Sequence, residues 1–84
     1  KIMYGRSKSI TGPYVDKNGK ALASGGGSIL DSGNARWVGP GGQDVYRNGS
    51  RGYVIARHAY DAYNNGTPTL LISDLYFKNG WPTY

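Results

Sequence analysis

Apolar side chains along this chain come in short alternating runs, and glycine, proline or asparagine closes each run. No window keeps the i, i+3, i+4, i+7 apolar spacing of a helix without a glycine or proline inside it. The alternation instead predicts strands separated by tight turns. Residues 1–7 read as a first strand, followed by turns at Gly12-Pro13 and at Asp16-Lys17-Asn18-Gly19. The second of these is a strong β-turn sequence, because asparagine and glycine tolerate left-handed backbone. Gly25-Gly26-Gly27 leads into a short strand, Ser28-Ile29-Leu30, which Asp31-Ser32-Gly33-Asn34 stops.

The rhythm is clearer beyond Trp37. Strands are expected at 44–46, 53–60 and 69–77, and the stretch 37–44 has strand character as well. Arg47-Asn48-Gly49-Ser50 reads as a hairpin turn, 61–68 as a loop around Asn64-Asn65-Gly66, and Lys78-Asn79-Gly80 as the turn into Trp81-Pro82-Thr83-Tyr84. Successive antiparallel strands joined this way form a meander, the unit of a propeller blade. Four-stranded blades take about 40–45 residues in the commonest repeats, so 84 residues hold roughly one blade and most of another. Propellers need about 4 to 8 blades. The expected class is therefore all-β, a partial β-propeller that cannot close a ring alone. Spacing by itself leaves a two-sheet sandwich fragment as the structural alternative.

Composition changes the picture of the core. Leu, Ile, Val and Phe number fifteen of 84 residues, which with a net charge of +5 approaches the disordered range. Eight tyrosines and two tryptophans pull the other way, since aromatic side chains suit half-buried pleated surfaces. A chain this short buries about 60% of its unfolded surface, and it has no cysteine with which to staple itself. We read it as a piece that completes its core against further polypeptide. The lack of cysteine leaves the redox compartment open. No apolar run nears the roughly 20 residues of a membrane helix, and the first residues carry no secretory signal. The basic balance raises nucleic-acid binding. However, the ten Lys and Arg are scattered without a run of three, and no helix-turn-helix or RNA-recognition signature accompanies them. Solvated surface charge accounts for them, and neither nucleic acid nor membrane is expected as a partner.

All five acidic residues are aspartates, with no glutamate. Asp16 and Asp31 lie in turn sequences, where local hydrogen bonding to backbone explains them. Asp61 opens a loop, and Asp74 sits in the last long strand among apolar residues. Asp44 follows the glycine-rich stretch and is the strongest outsider for acid–base work, although a strand-end hydrogen-bonding role explains it better. Alternation places His58, the one histidine, on a face with Val54, Ala56 and Tyr60. A histidine on such a face is more often a satisfied core residue than a ligand. In Gly39-Pro40-Gly41-Gly42-Gln43 the small residues either let backbone approach a ligand or permit a bulge. Gln43 can donate to and accept from hydroxyls. Trp81, set before Pro82, suits packing, and Tyr60 suits the wall of a cleft.

Several stretches, taken in order, resemble one family. They are Gly5-Arg6-Ser7-Lys8-Ser9-Ile10-Thr11-Gly12-Pro13-Tyr14, Gly25-Gly26-Gly27, Arg36-Trp37-Val38-Gly39-Pro40-Gly41, His58-Ala59-Tyr60-Asp61 and Gly80-Trp81-Pro82. Together they resemble the closing part of arabinan-degrading glycoside hydrolases of the family 43 type, which fold as five-bladed β-propellers. The resemblance implies that residues 1–84 are C-terminal blades of such a domain. It implies inverting hydrolysis of α-1,5-linked arabinofuranosyl bonds, for which an acid and a base carboxyl stand about 6.5–9.5 Å apart. Those carboxylates precede the matched region in the family, so no catalytic residue is carried onto this sequence. The matched histidine, His58, is implied as a calcium ligand among waters. Gly41, Gly42, Gln43 and Tyr60 are the implied substrate-binding positions. Many members carry a histidine where Gly42 stands, which leaves endo against exo action open. The partners implied are arabinan or arabino-oligosaccharide and the remaining N-terminal part of the same enzyme, in a secreted setting. A carbohydrate-binding β-module without catalysis and a xylan-active hydrolase of the same fold are the alternatives.

Overall fold

The computed structural model describes residues 1–84, at Arg51 the backbone alone. Two strands, β1 (Ile2–Tyr4) and β2 (Ser28–Asp31), pair antiparallel. Four more, β3 (Trp37–Arg47), β4 (Tyr53–Asp61), β5 (Thr67–Lys78) and β6 (Trp81–Thr83), form an antiparallel meander in sequence order.

The turns follow from their residues. Between β5 and β6, Asn79 and Gly80 adopt φ of 54° and 79°, the pair of left-handed residues that a two-residue hairpin of matching twist requires. Lys78 then faces Trp81 across the ladder. Between β4 and β5, the carboxylate of Asp61 accepts from the Tyr63 N–H at 3.0 Å, and the Gly66 N–H donates to the Asp61 carbonyl at 2.8 Å. Asp16 organises the long connection from β1 to β2. It accepts from the N–H groups of Gly27, Lys20 and Asn18 at 2.9, 3.0 and 2.9 Å. These bonds, that of Gly27 foremost, hold its carboxyl below the usual aspartate range.

Period-2 alternation is visible along β4. Ile55, Arg57, Ala59 and Asp61 are buried on one face, and Val54 is buried on the other. Ile2 of β1, Ile55 and Leu75 of β5 form the apolar cluster, with Leu30 of β2 packed against it. Each such side chain contributes about 1.5–3 kcal/mol when fully buried, so this core is thin and polar links between the sheets matter.

Two expectations are corrected, at the first strand and at Asp61. The first strand stops at Tyr4, and Arg6 makes only an isolated pairing with Val15. The glycine-rich stretch lies inside β3, as its strand character predicts, and two register shifts absorb its surplus residues between Val38 and Gly41 and between Gly41 and Asp44. Asp61 ends β4 instead of opening a loop, and β5 begins at Thr67, since Asp61 is buried and held by the bonds described below.

Candidate functional site

The bulged part of β3 runs beside β4 and brings four of the five expected site residues into one strip. Gly41 pairs with His58 and Val38 with Tyr60. His58 and Tyr60 share a face of β4, and both side chains are exposed. Each lies against a backbone position of β3 that lacks a side chain. A Cβ added at Gly39 would meet the Tyr60 ring at 3.5 Å, an ordinary contact. One added at Gly42 would fall 2.6 Å from Nδ1 of His58 and closer still to Cε1. Gly41 is open, with nothing within 4 Å of the same construction. The strip is therefore an imidazole and a phenol ring flanking exposed main chain, a surface suited to a ligand of hydroxyls and flat apolar faces. Gln43 stands apart from this contact set: it lies in the unpaired stretch before Asp44 and is exposed.

One end of the strip is clamped by an ion pair. Arg36 donates from Nε and Nη2 to the two carboxylate oxygens of Asp61, each at 3.1 Å. Its guanidinium also lies 4.6 Å from the Trp37 ring and 5.5 Å from that of Tyr63. The Arg36 hydrogen bonds, followed by the Tyr63 N–H, hold the Asp61 carboxyl below its ordinary value. Beneath His58, Arg57 points inward. It donates to Oγ of Ser73 at 2.8 Å and stands 3.4 Å from Oδ2 of Asp31. Asp31 also accepts from the Tyr84 hydroxyl at 2.6 Å and the Gly33 N–H at 2.9 Å.

Sequence reasoning missed both networks. The available signal was that Arg57 and Asp61 occupy the inward positions of the β4 alternation, where a charge needs a partner. Trp81 packs as expected, its ring 5.7 Å from that of Tyr4 and 3.7 Å beneath the Arg6 guanidinium. Within this segment His58 is exposed and is not enclosed by the apolar neighbours on its face. Among the described residues no three His or Asp side chains converge as a metal cage. A single imidazole seated on a bare backbone position fits the part of one ligand, and not a complete site.

No family model matches the chain. It is 62% identical over 84 residues to the extracellular endo-α-(1→5)-L-arabinanase 1 of Bacillus subtilis, a match covering 100% of this chain and 25% of that protein. An extracellular exo-α-(1→5)-L-arabinofuranosidase of Cellvibrio japonicus is 44% identical over 82 residues, covering 96% of this chain and 23% of its own length. Among solved structures, the family 43 endo-arabinanase of Bacillus licheniformis superposes with a TM-score of 0.90 at 62% identity, over 100% of this chain and 28% of that one. The chain thus spans about a quarter of the length of the curated relatives it matches. The backbone match also removes the sandwich alternative, since the sheets follow those of the propeller-type arabinanases.

Proposed function

We propose that this chain, which matches a segment of arabinanase-type glycoside hydrolases in sequence and in backbone, works within an enzyme that hydrolyses α-1,5-linked arabinofuranosyl bonds with inversion. The observation that carries this reading is the match of the whole chain at 62% identity to an endo-arabinanase. The acid and base carboxyls are supplied from outside these residues. In support, three of the five aspartates already serve the fold: Asp16 binds backbone, Asp31 binds Tyr84 and Gly33, and Asp61 binds Arg36. The segment contributes the wall that meets arabinan or an arabino-oligosaccharide, with Gly41, Gly42 and Gln43 offering main chain and amide and Tyr60 offering a ring face. His58 supplies one ligand to a calcium ion completed by water and by the rest of the protein. A divalent ion so placed stabilises ionised carboxylates nearby. The extracellular names of both relatives support secretion.

The test compares two proteins on debranched arabinan. The 84 residues alone should release no new reducing ends, because proton transfer to the leaving group is worth about 10²–10⁴-fold in rate. The longer protein that carries this segment should release them, and NMR of the first product should show the inverted anomer. Turnover by the 84 residues that Asp44→Asn abolishes would overturn the assignment.

A further inference from the structure

We propose that Gly42 is the positioning residue for His58, its bare α-carbon setting where the imidazole sits. The inference rests, for its functional consequence, on the reading of His58 as a metal ligand.

The geometry singles out this glycine. Gly42 has φ of 58° and lies in the bulge of β3. A Cβ there would overlap the imidazole itself, 2.6 Å from Nδ1 and closer to Cε1, at separations that side-chain carbons do not tolerate. The backbone of His58 cannot retreat to make room, because it is paired on both sides, to Gly41 of β3 and to Leu70 of β5. The ring would have to turn about its own torsions and leave its present place. Neighbouring glycines behave differently. Gly39 would hold a Cβ in ordinary contact with Tyr60, and Gly41 faces open space. Gly42 is thus the position in the strip where one added carbon moves the histidine. A ligand's affinity for metal depends on the groups that orient it, with losses of about 10–100-fold when those are changed.

The experiment uses the complete protein with ¹³C-labelled histidine, the His58 ring signals being assigned by their loss in His58→Gln. Gly42→Ala should move those signals. Gly49→Ala is the matched control, since Gly49 is also left-handed at φ of 49° but has nothing within 4 Å, so it imposes the backbone strain without the ring contact. In calcium titrations read on the same signals, Gly42→Ala should need about 10-fold more metal for half saturation, and Gly49→Ala should not. Should Gly42→Ala fail to fold, Gly42→Asn accepts left-handed backbone and still places a carbon against the ring, with Gly49→Asn as control. Ring signals that move no further in the position-42 variants than in their controls overturn the proposal. If calcium leaves the His58 signals of the unsubstituted protein unchanged, the ligand reading fails alone, and the ring shifts still decide the positioning.

Discussion

Arg57 places a full charge on the inward face of β4, only 8% exposed. It is tolerable because Ser73, Asp31 and the face of Tyr84, 4.6 Å away, surround it. Removing one partner of such a buried pair costs about 3–5 kcal/mol. Arg57→Leu should therefore lower the unfolding free energy, read from urea melts, by an amount near the bottom of that range, since Asp31 keeps its bonds from Tyr84 and Gly33. The same cluster sets a pH dependence. Burial alone would raise the Asp31 carboxyl, but Tyr84, Gly33 and Arg57 outweigh it and leave it lowered. Its contribution to stability is full above the unfolded aspartate value of about 3.9 and is lost as pH falls through the lower folded value. For Tyr84 the sign reverses. Burial first, and donation to Asp31 second, raise its hydroxyl. That contribution is full below about pH 10 and is lost as pH rises through the folded value. Stability of the unsubstituted protein minus that of Tyr84→Phe should hold steady across neutral pH and shrink in strong alkali. A difference that stays flat to the alkaline limit would refute the link. At this scale the sequence was half legible. Alternation placed His58 correctly beside Val54 and Tyr60, whereas the partner of Arg57 lies on another sheet, 26 residues upstream, at a distance no local pattern encodes.

Turn chemistry was the most readable level, because each tight turn carries its own backbone requirement. Asn79-Gly80 predicted a hairpin and makes one. The bulges in β3 were less readable: a glycine run allows several registers, and the one adopted depends on how β4 pairs with it. The hairpin also has a tertiary role. Arg6 donates to the Asn79 carbonyl at 3.1 Å while covering Trp81, and a Cβ at Gly80 would come 2.6 Å from its Nη1. Gly80→Ala should therefore cost more than left-handed strain alone, which is about 1–2 kcal/mol. Gly66→Ala isolates the strain, since Gly66 has φ of 73° and open space around it. Thermal melts of the two variants should differ, with Gly80→Ala the lower. Equal melting temperatures would show that Arg6 moves aside without loss.

At the scale of the whole chain, the two sheets make a slab and not a globule. Its extents are 42 × 34 × 19 Å and its radius of gyration is 14.3 Å, against about 12 Å for a compact domain of this length. The thin dimension is close to two sheet layers at a spacing of about 10 Å, so many side chains have nothing on their outer side. Leu70 is 67% exposed, Ile72 55% and Tyr76 57%, all on the β5 ladder. The low share of aliphatic residues led to the expectation of a core completed elsewhere, and among the described residues the buried apolar side chains are Ile2, Val54, Ile55, Ala59 and Leu75. What composition could not tell is which face is left open. The inward face of β4 is sealed by Ile2, Leu30 and the Arg57 cluster, while the face carrying Leu70, Ile72 and Tyr76 is not. The 84 residues alone should then bind a hydrophobic dye strongly, melt over a broad range and self-associate through that face. Leu70→Lys with Ile72→Lys should suppress both dye binding and association without loss of β-structure by circular dichroism, because both residues are exposed and alternate to the face of β5 opposite Leu75 of the buried cluster. A monodisperse chain that melts sharply and ignores the dye would mean that the slab is self-sufficient, and the need for further polypeptide would have to be given up.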